Sequence, residues 1–168
     1  MKLYHGSNTV IEKIDLAKCR PYKDFGKGLY CTTMEDQAQA MARRVARIYG
    51  GEPFVTGFEL SDDISDPLLH TRAFDGPSME WACFIMNNRS RSFTDFSSLE
   101  CNLDLKYDLV SGPIANDDLA LLFRSFERGL ITVESLVEAM KYKKLTDQYS
   151  FHTERALTVL TKVGEYRV

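Results

Sequence analysis

The chain has 168 residues, of which 44% are hydrophobic and 27% are charged, a balance typical of one globular domain. A domain of this length buries enough surface to fold without disulfides or a structural metal. Its net charge of −3 provides no basic field, which argues against a membrane or nucleic-acid partner. The composition therefore predicts a single domain over residues 1–168 that acts on protein or small-molecule partners.

The sequence contains no long apolar run, and its first residues lack the pattern of a secretory signal. We therefore expect a cytoplasmic protein. The four cysteines form no Cys-x-x-Cys pair, and the three histidines are far apart in sequence. Because zinc sites and disulfide frameworks use closer spacings, we expect reduced thiols and no metal site.

Short strands and helices alternate in the first third of the chain. Residues 2–5 predict a strand that ends at Gly6, residues 29–32 predict a second strand, and residues 54–60 predict a third. A helix is predicted between the last two, behind a capping box at Thr32 and Glu35. Its apolar positions at helical spacing are Met34, Ala38, Met41, Val45 and Ile48. We expect this stripe, with Met41 and Val45, to face the core.

The later elements are shorter and are separated by glycine and proline. They comprise a helix over 78–88, a strand over 107–110, a helix pair flanking Gly129, a strand over 148–152, a final helix capped by Thr153, and a strand-like tail after Gly164. The helix pair is expected to form a hairpin. Strands from distant positions with helices between them predict the α+β class.

Polar and aromatic residues alternate in the strand over 148–152. Period two places Tyr149 and Phe151 on one face, and Gln148, Ser150 and His152 on the other. We expect one face to lie in the core and the polar face to contribute to a site.

Three separated segments carry the strongest functional signal. They are Leu3-Tyr4-His5-Gly6-Ser7, Phe25-Gly26-Lys27-Gly28-Leu29-Tyr30 and Asp147-Gln148-Tyr149. In this order they resemble the three motifs of the ADP-ribosyltransferase superfamily of the diphtheria-toxin and poly(ADP-ribose) polymerase type. The segment from Gly112 to Ala115 further resembles one found in small uncharacterised bacterial members.

The resemblance implies a split β-sheet core with flanking helices and NAD as co-substrate. It implies a catalytic set of His5, Tyr30 and Gln148. It also implies that the residues contacting NAD are His5, Gly6, Ser7, Gly28, Tyr30 and Met41. The implied activity is that of a bacterial toxin or effector that modifies a protein acceptor and is held in check by a small inhibitory partner.

The residue types suit these roles chemically. A tyrosine ring such as Tyr30 can stack on planar nicotinamide, and a glycine such as Gly6 lets backbone amide groups approach its carboxamide. A ring nitrogen of His5 can bond a ribose hydroxyl, and Ser7 can add a hydroxyl to the carboxamide.

Two positions depart from the superfamily pattern. Met41 stands where a second aromatic residue often completes the nicotinamide clamp, so a softer thioether contact is expected. Gln148 stands where the motif has its catalytic glutamate, so it keeps a hydrogen bond but loses a negative charge and cannot act as a general base. Transfer of a single ADP-ribose is therefore predicted over polymer synthesis. Glu154 is an alternative carboxylate, although its position favours a helix-start charge.

Two other functions remain open at this stage. One is an NAD-binding module without transfer, favoured by the departures at Gln148 and Met41. The other is transfer to nucleic acid, against which the acidic balance argues weakly. Among residues outside the motifs, Arg89 and Arg91 are interpreted as solvated loop charges, and Asn116 as a helix cap.

Overall fold

The computed structural model describes residues 1–61, 68–141 and 146–168. Its strands are β1 (Lys2–Ser7), β2 (Leu29–Cys31), β3 (Phe54–Leu60), β4 (Thr71–Ala73), β5 (Leu109–Pro113), β6 (Asp147–Phe151) and β7 (Leu160–Arg167). Its α-helices are α1 (Glu35–Tyr49), α2 (Met79–Arg89), α3 (Asp117–Glu127), α4 (Val133–Lys141) and α5 (Glu154–Leu157). This confirms the predicted α+β class.

The strands form two sheets. The first has the order β1-β3-β7, and the second has the order β2-β6-β5-β4, with the β4–β5 pair parallel and the other pairs antiparallel. The sheets meet at a bridge between Tyr4 of β1 and Thr32 after β2. There each residue donates its N–H to the carbonyl oxygen of the other, at 2.8 and 3.0 Å.

Two apolar layers cover the faces of the second sheet. One layer packs this sheet against helices α2, α3 and α4, and its largest buried residues are Phe25, Phe74, Trp81, Phe84, Ile85, Val110, Leu119, Phe123, Leu136 and Met140. The other layer joins the two sheets through Leu3, Leu29, Phe58, Leu60, Leu109 and Phe151. Helices α3 and α4 pack against each other, which confirms the predicted hairpin.

Helix α1 packs on the first sheet through a face that differs from the predicted one. Its buried residues are Ala38 and Ala42, whereas Met41 is 46% exposed and Val45 is only half-buried. The prediction that Met41 faces the core is therefore wrong. The reason is the close approach of α1 to Gly6: an added Cβ there would lie 2.1 Å from the Ala38 carbonyl oxygen. Only small side chains fit between the two backbones.

Several element boundaries also differ from the sequence-based expectation. Helix α1 starts at Glu35 without a side-chain cap, because the hydroxyl of Thr32 accepts from Met34 and donates to Gln37. The final helix ends at Leu157, and the last strand starts at Leu160. Strand β4 was not predicted. It pairs with β5 through only three residues, too few for a periodic signal.

Close packing at Gly6 gives a stability prediction. Gly6→Ala is expected to lower the free energy of unfolding by about 1–3 kcal/mol, because the new methyl group would meet rigid backbone of α1. Gly164→Ala in β7 is the matched control, since no atom lies within 4 Å of a Cβ built there. Urea unfolding of both variants measures the difference, and equal losses would contradict the close approach of α1.

Candidate functional site

His5 lies on β1 next to the point where the two sheets meet. Its Nδ1 is 2.7 Å from the carbonyl oxygen of Tyr30 on β2. Because a carbonyl oxygen only accepts, Nδ1 carries the proton and Nε2 keeps its lone pair. Burial lowers the pKa of His5, although the bond to Tyr30 acts in the opposite direction. The ring is therefore neutral near pH 7, with Nε2 as an acceptor.

Gly6 follows on the same strand, and its backbone is directed toward the second sheet. Backbone hydrogen bonding alternates along an antiparallel strand, and Tyr4 uses its N–H and C=O on the Thr32 side. Gly6, two residues after Tyr4, therefore directs its own N–H and C=O toward β2. Beyond the bridge, however, β1 pairs with β3 and β2 pairs with β6. We call the space between the diverging strands the gap.

Ser7 ends β1 and uses its hydroxyl locally. The Oγ donates to the carbonyl oxygen of Thr9 at 2.6 Å, and the residue is buried. The hydroxyl proton of Ser7 is therefore used in a hydrogen bond within the turn after β1. Its oxygen lone pairs remain the groups that a ligand would use.

Tyr30 is held at both ends of its side chain. Its hydroxyl accepts from the N–H of Phe25 at 2.9 Å and donates to the carbonyl oxygen of Gly26 at 2.7 Å. Its ring stacks on Phe25, with centroids 6.5 Å apart, and meets His152 edge to face. Burial raises the pKa of Tyr30, and the charge of Asp24 adds to this effect. The phenol thus stays protonated and the ring is rigid.

Gln148 lies on β6, close to Tyr30. Ser150, two residues along the same face, pairs directly with Tyr30. Gln148 is only 6% exposed, and its Nε2 donates to Oδ2 of Asp24 at 3.0 Å and to the Pro113 carbonyl oxygen at 3.3 Å. Because both partners are acceptors, the amide can have only this orientation, with Oε1 at the opposite end.

Asp24 and Arg89 complete this cluster, which sequence reasoning missed. Arg89 donates from Nε at 3.0 Å and from Nη2 at 2.7 Å to Oδ1 of Asp24, and from Nη2 to the Ala115 carbonyl oxygen at 3.0 Å. The interpretation of Arg89 as a solvated loop charge is therefore wrong. The N–H of Ala115 donates to Oδ2 of Asp24 at 3.3 Å. The position of Asp24 directly before the Phe25-to-Tyr30 motif is the signal that could have revealed it.

The polar face of β6 continues to His152 as predicted. Its Nδ1 donates to the Lys27 carbonyl oxygen at 2.8 Å, and its Nε2 lies 2.8 Å from the Ser150 hydroxyl. Burial lowers the pKa of His152 to about 4. A Cβ on Gly28 would lie 2.7 Å from that ring, so tight packing on β6 already accounts for the glycine. A ligand contact at Gly28 stays a prediction.

Met41 lies on α1 and is 46% exposed. One turn earlier on the same side, Gln37 donates to Thr146, which precedes β6. On another side of the helix, Gln39 donates to the Tyr166 hydroxyl of β7. The exposed thioether therefore lies on the side of α1 that includes Gln37, and a contact between Met41 and NAD stays a prediction. Glu154 begins α5 and is exposed, which fits a helix-start charge.

A second concave region lies on the opposite face of β5 and β6. This cavity of about 310 Å³ is lined by Ala73, Phe74, Asp75, Ser111, Gly112, Pro113, Thr146, Asp147 and Tyr149. Asp147 is anchored there by the hydroxyl of Thr33, at 2.8 and 2.9 Å. The third motif therefore directs Gln148 to one face of its strand and Asp147 and Tyr149 to the other.

Comparison with known proteins gives one match. The family described as "Protein of unknown function (DUF3990)" matches residues 1–161. The chain belongs to this family. No curated protein and no solved structure matches this DUF3990 member.

In 1–61, 68–141 and 146–168, no helix combines the length and the apolar character needed to cross a membrane. Over the same ranges, no three histidine, cysteine, aspartate or glutamate side chains are grouped so that they can hold a metal ion.

The neutral state of His152 makes stability depend on pH. Its pKa is about 4 in the folded protein and 6.5 ordinarily, so the unfolded chain binds the proton first as the pH falls. A contribution of about 3 kcal/mol is complete above about pH 6.5 and is lost between about pH 6.5 and 4. Urea unfolding at pH 7 and about pH 4.5 should show this loss in the parent and less of it in His152→Gln. Equal losses would contradict a buried neutral ring.

Proposed function

We propose that this protein is a mono-ADP-ribosyltransferase that takes ADP-ribose from NAD and transfers it to a protein side chain. The observation that supports the proposal is that three positions distant in sequence lie on three neighbouring strands, His5 on β1, Tyr30 on β2 and Gln148 on β6. His5 bonds the backbone of Tyr30, and Tyr30 pairs with the strand that holds Gln148. These are the three positions that the sequence resemblance assigns to catalysis.

The groups around the gap suit nicotinamide. Its carboxamide has one acceptor and two donor hydrogens, which complement the N–H and C=O that Gly6 directs into the gap. The rigid ring of Tyr30 offers a stacking surface, and Met41 offers an apolar contact from α1. The site would therefore bind the leaving group through backbone polarity and apolar faces, without a charged partner.

The groups on either side of Tyr30 suit a ribose. Nε2 of His5 and Oε1 of Gln148 are both acceptors, and ribose hydroxyls are donors. In the transfer, the nicotinamide–ribose bond breaks with its electron pair leaving on nicotinamide, and an acceptor lone pair forms the new bond to C1′ while its proton passes to solvent. Hydrogen bonds that hold the ribose hydroxyls orient C1′ for this exchange.

Gln148 limits the product to a single transfer. Chain elongation requires a base that removes a proton from a ribose hydroxyl, and a carboxamide has no such basicity. The acceptor protein and the small inhibitory partner implied by the resemblance stay predictions.

A second candidate is an NAD-binding module without transfer. It is favoured by the absence of a carboxylate at position 148, because a negative charge close to the ribose stabilises the positive charge that develops there. Release of nicotinamide distinguishes the two candidates. A binder takes up NAD and leaves its glycosidic bond intact with every acceptor tried.

Stacking on Tyr30 predicts a graded response to substitution. Tyr30→Ala should weaken NAD binding by about 1–3 kcal/mol, because it removes the ring and its apolar contact. Tyr30→Phe should keep most of the affinity while lowering the melting temperature, since it loses the bonds to Phe25 and Gly26. Titration calorimetry with NAD measures both variants. The same loss of affinity in both would assign the effect to the hydroxyl.

Gln148→Ala should abolish transfer while leaving NAD affinity within about tenfold, since one neutral hydrogen bond contributes about 0.5–1.5 kcal/mol. Gln39→Ala, an α1 glutamine that bonds Tyr166, is the matched control. Mass spectrometry of proteins and oligonucleotides incubated with labelled NAD measures transfer and identifies the acceptor class. Transfer by Gln148→Ala at the parent rate would remove Gln148 from the reaction.

A further inference from the structure

Asp24 is a buried carboxylate in contact with Gln148. We propose that Asp24, held by Arg89, is the positioning residue that orients the Gln148 amide toward the ribose and supplies through it the negative charge that position 148 lacks. This inference rests on the proposed transfer reaction. It gives Asp24 a role that neither the motifs nor the family match assigns.

Hydrogen-bond donors and acceptors alone fix the orientation of the Gln148 amide. An amide can rotate by half a turn and exchange its NH2 and C=O ends at almost no steric difference. Here the carboxylate of Asp24 and the carbonyl of Pro113 both lie at one end of Gln148, at 3.0 and 3.3 Å. Rotation would bring an oxygen against two acceptors, so only Oε1 can face a ligand.

The same contact with Asp24 also changes the charge distribution of the Gln148 amide. A carboxylate that accepts from the NH2 group polarises the whole amide and makes its carbonyl oxygen a stronger acceptor. Asp24 is 8% exposed, so water screens this effect little. Arg89 bonds Oδ1 and the N–H of Ala115 bonds Oδ2, so both oxygens of the buried carboxylate have donor partners and Arg89 supplies the opposite charge.

The same geometry explains why a glutamine stands at position 148. A glutamate there would place two carboxylates about 3 Å apart in a buried site, and two such groups cannot both ionise without a large penalty. The negative charge can therefore occupy position 24 or position 148, but not both. A swap of the two side-chain types tests this directly.

The experiment compares Asp24→Asn, Gln148→Glu and the double variant with the parent chain. Gln148→Glu alone is expected to lower the melting temperature at pH 7 and to recover as the pH falls toward 5, because protonation of one carboxylate relieves the repulsion. Adding Asp24→Asn should remove this pH-dependent loss, since the amide then donates to the new carboxylate. Additive effects of the two substitutions on unfolding would overturn the proposal.

Kinetics separate positioning from simple structural support. Asp24→Asn is expected to lower kcat for nicotinamide release by about tenfold, the size of one charge-assisted hydrogen bond, with NAD affinity changed less than about threefold. The double variant should regain the parent kcat or exceed it, because the charge then lies on residue 148 itself. An unchanged kcat in Asp24→Asn would overturn the positioning role.

Asp108→Asn is the matched control for loss of a buried carboxylate. Asp108 is also buried and ion-paired, to Arg155 at 3.7 Å. Its substitution should lower the melting temperature without changing kcat per folded molecule. If the parent itself releases no nicotinamide with any acceptor, the proposed function fails alone, and the stability of the double variant still decides whether Asp24 orients Gln148.

Discussion

The bridge between Tyr4 and Thr32 is the constraint on which the site depends. Both hydrogen bonds of this pair form, and beyond it β1 follows β3 while β2 follows β6. Because backbone groups alternate along a strand, this parting leaves Gly6 with polar groups directed into the gap. The hydrogen bond from His5 to the Tyr30 carbonyl oxygen then links β1 and β2 where the two strands separate. A shift of either strand by one residue would turn these side chains to the opposite face.

The buried polar groups on one face of β6 belong to two hydrogen-bonded networks. Asp24, Arg89 and Gln148 form one network, and Ser150 and His152 form another on the same face of β6. Apolar side chains of similar volume often stabilise a fold as well as a buried ion pair does. The polar face of β6, with Gln148, Ser150 and His152, therefore contributes less to stability than an apolar face could. The proposed function would explain why these polar groups are present.

Much of this arrangement follows from local sequence, and the rest follows from contacts that no local pattern encodes. Alternation along β6 correctly predicted the polar face with Gln148. Helical spacing correctly predicted α1 but wrongly predicted that its methionines face the core. Spacing alone does not reveal that the backbone of α1 lies close to Gly6. The Asp24–Arg89 pair joins residues 65 positions apart, so neither residue looks distinctive in sequence.

The wide separation of the site positions also bears on how the protein is made. His5 lies on β1, which leaves the ribosome before β2 to β7, whereas Gln148 lies on β6, and the sheet that holds His5 gains β7 only afterwards. Contacts of such long sequence separation form late, because the intervening chain must close first. An incomplete nascent chain therefore has the first two motifs but no assembled site. The proposed transfer therefore requires that synthesis has passed β6.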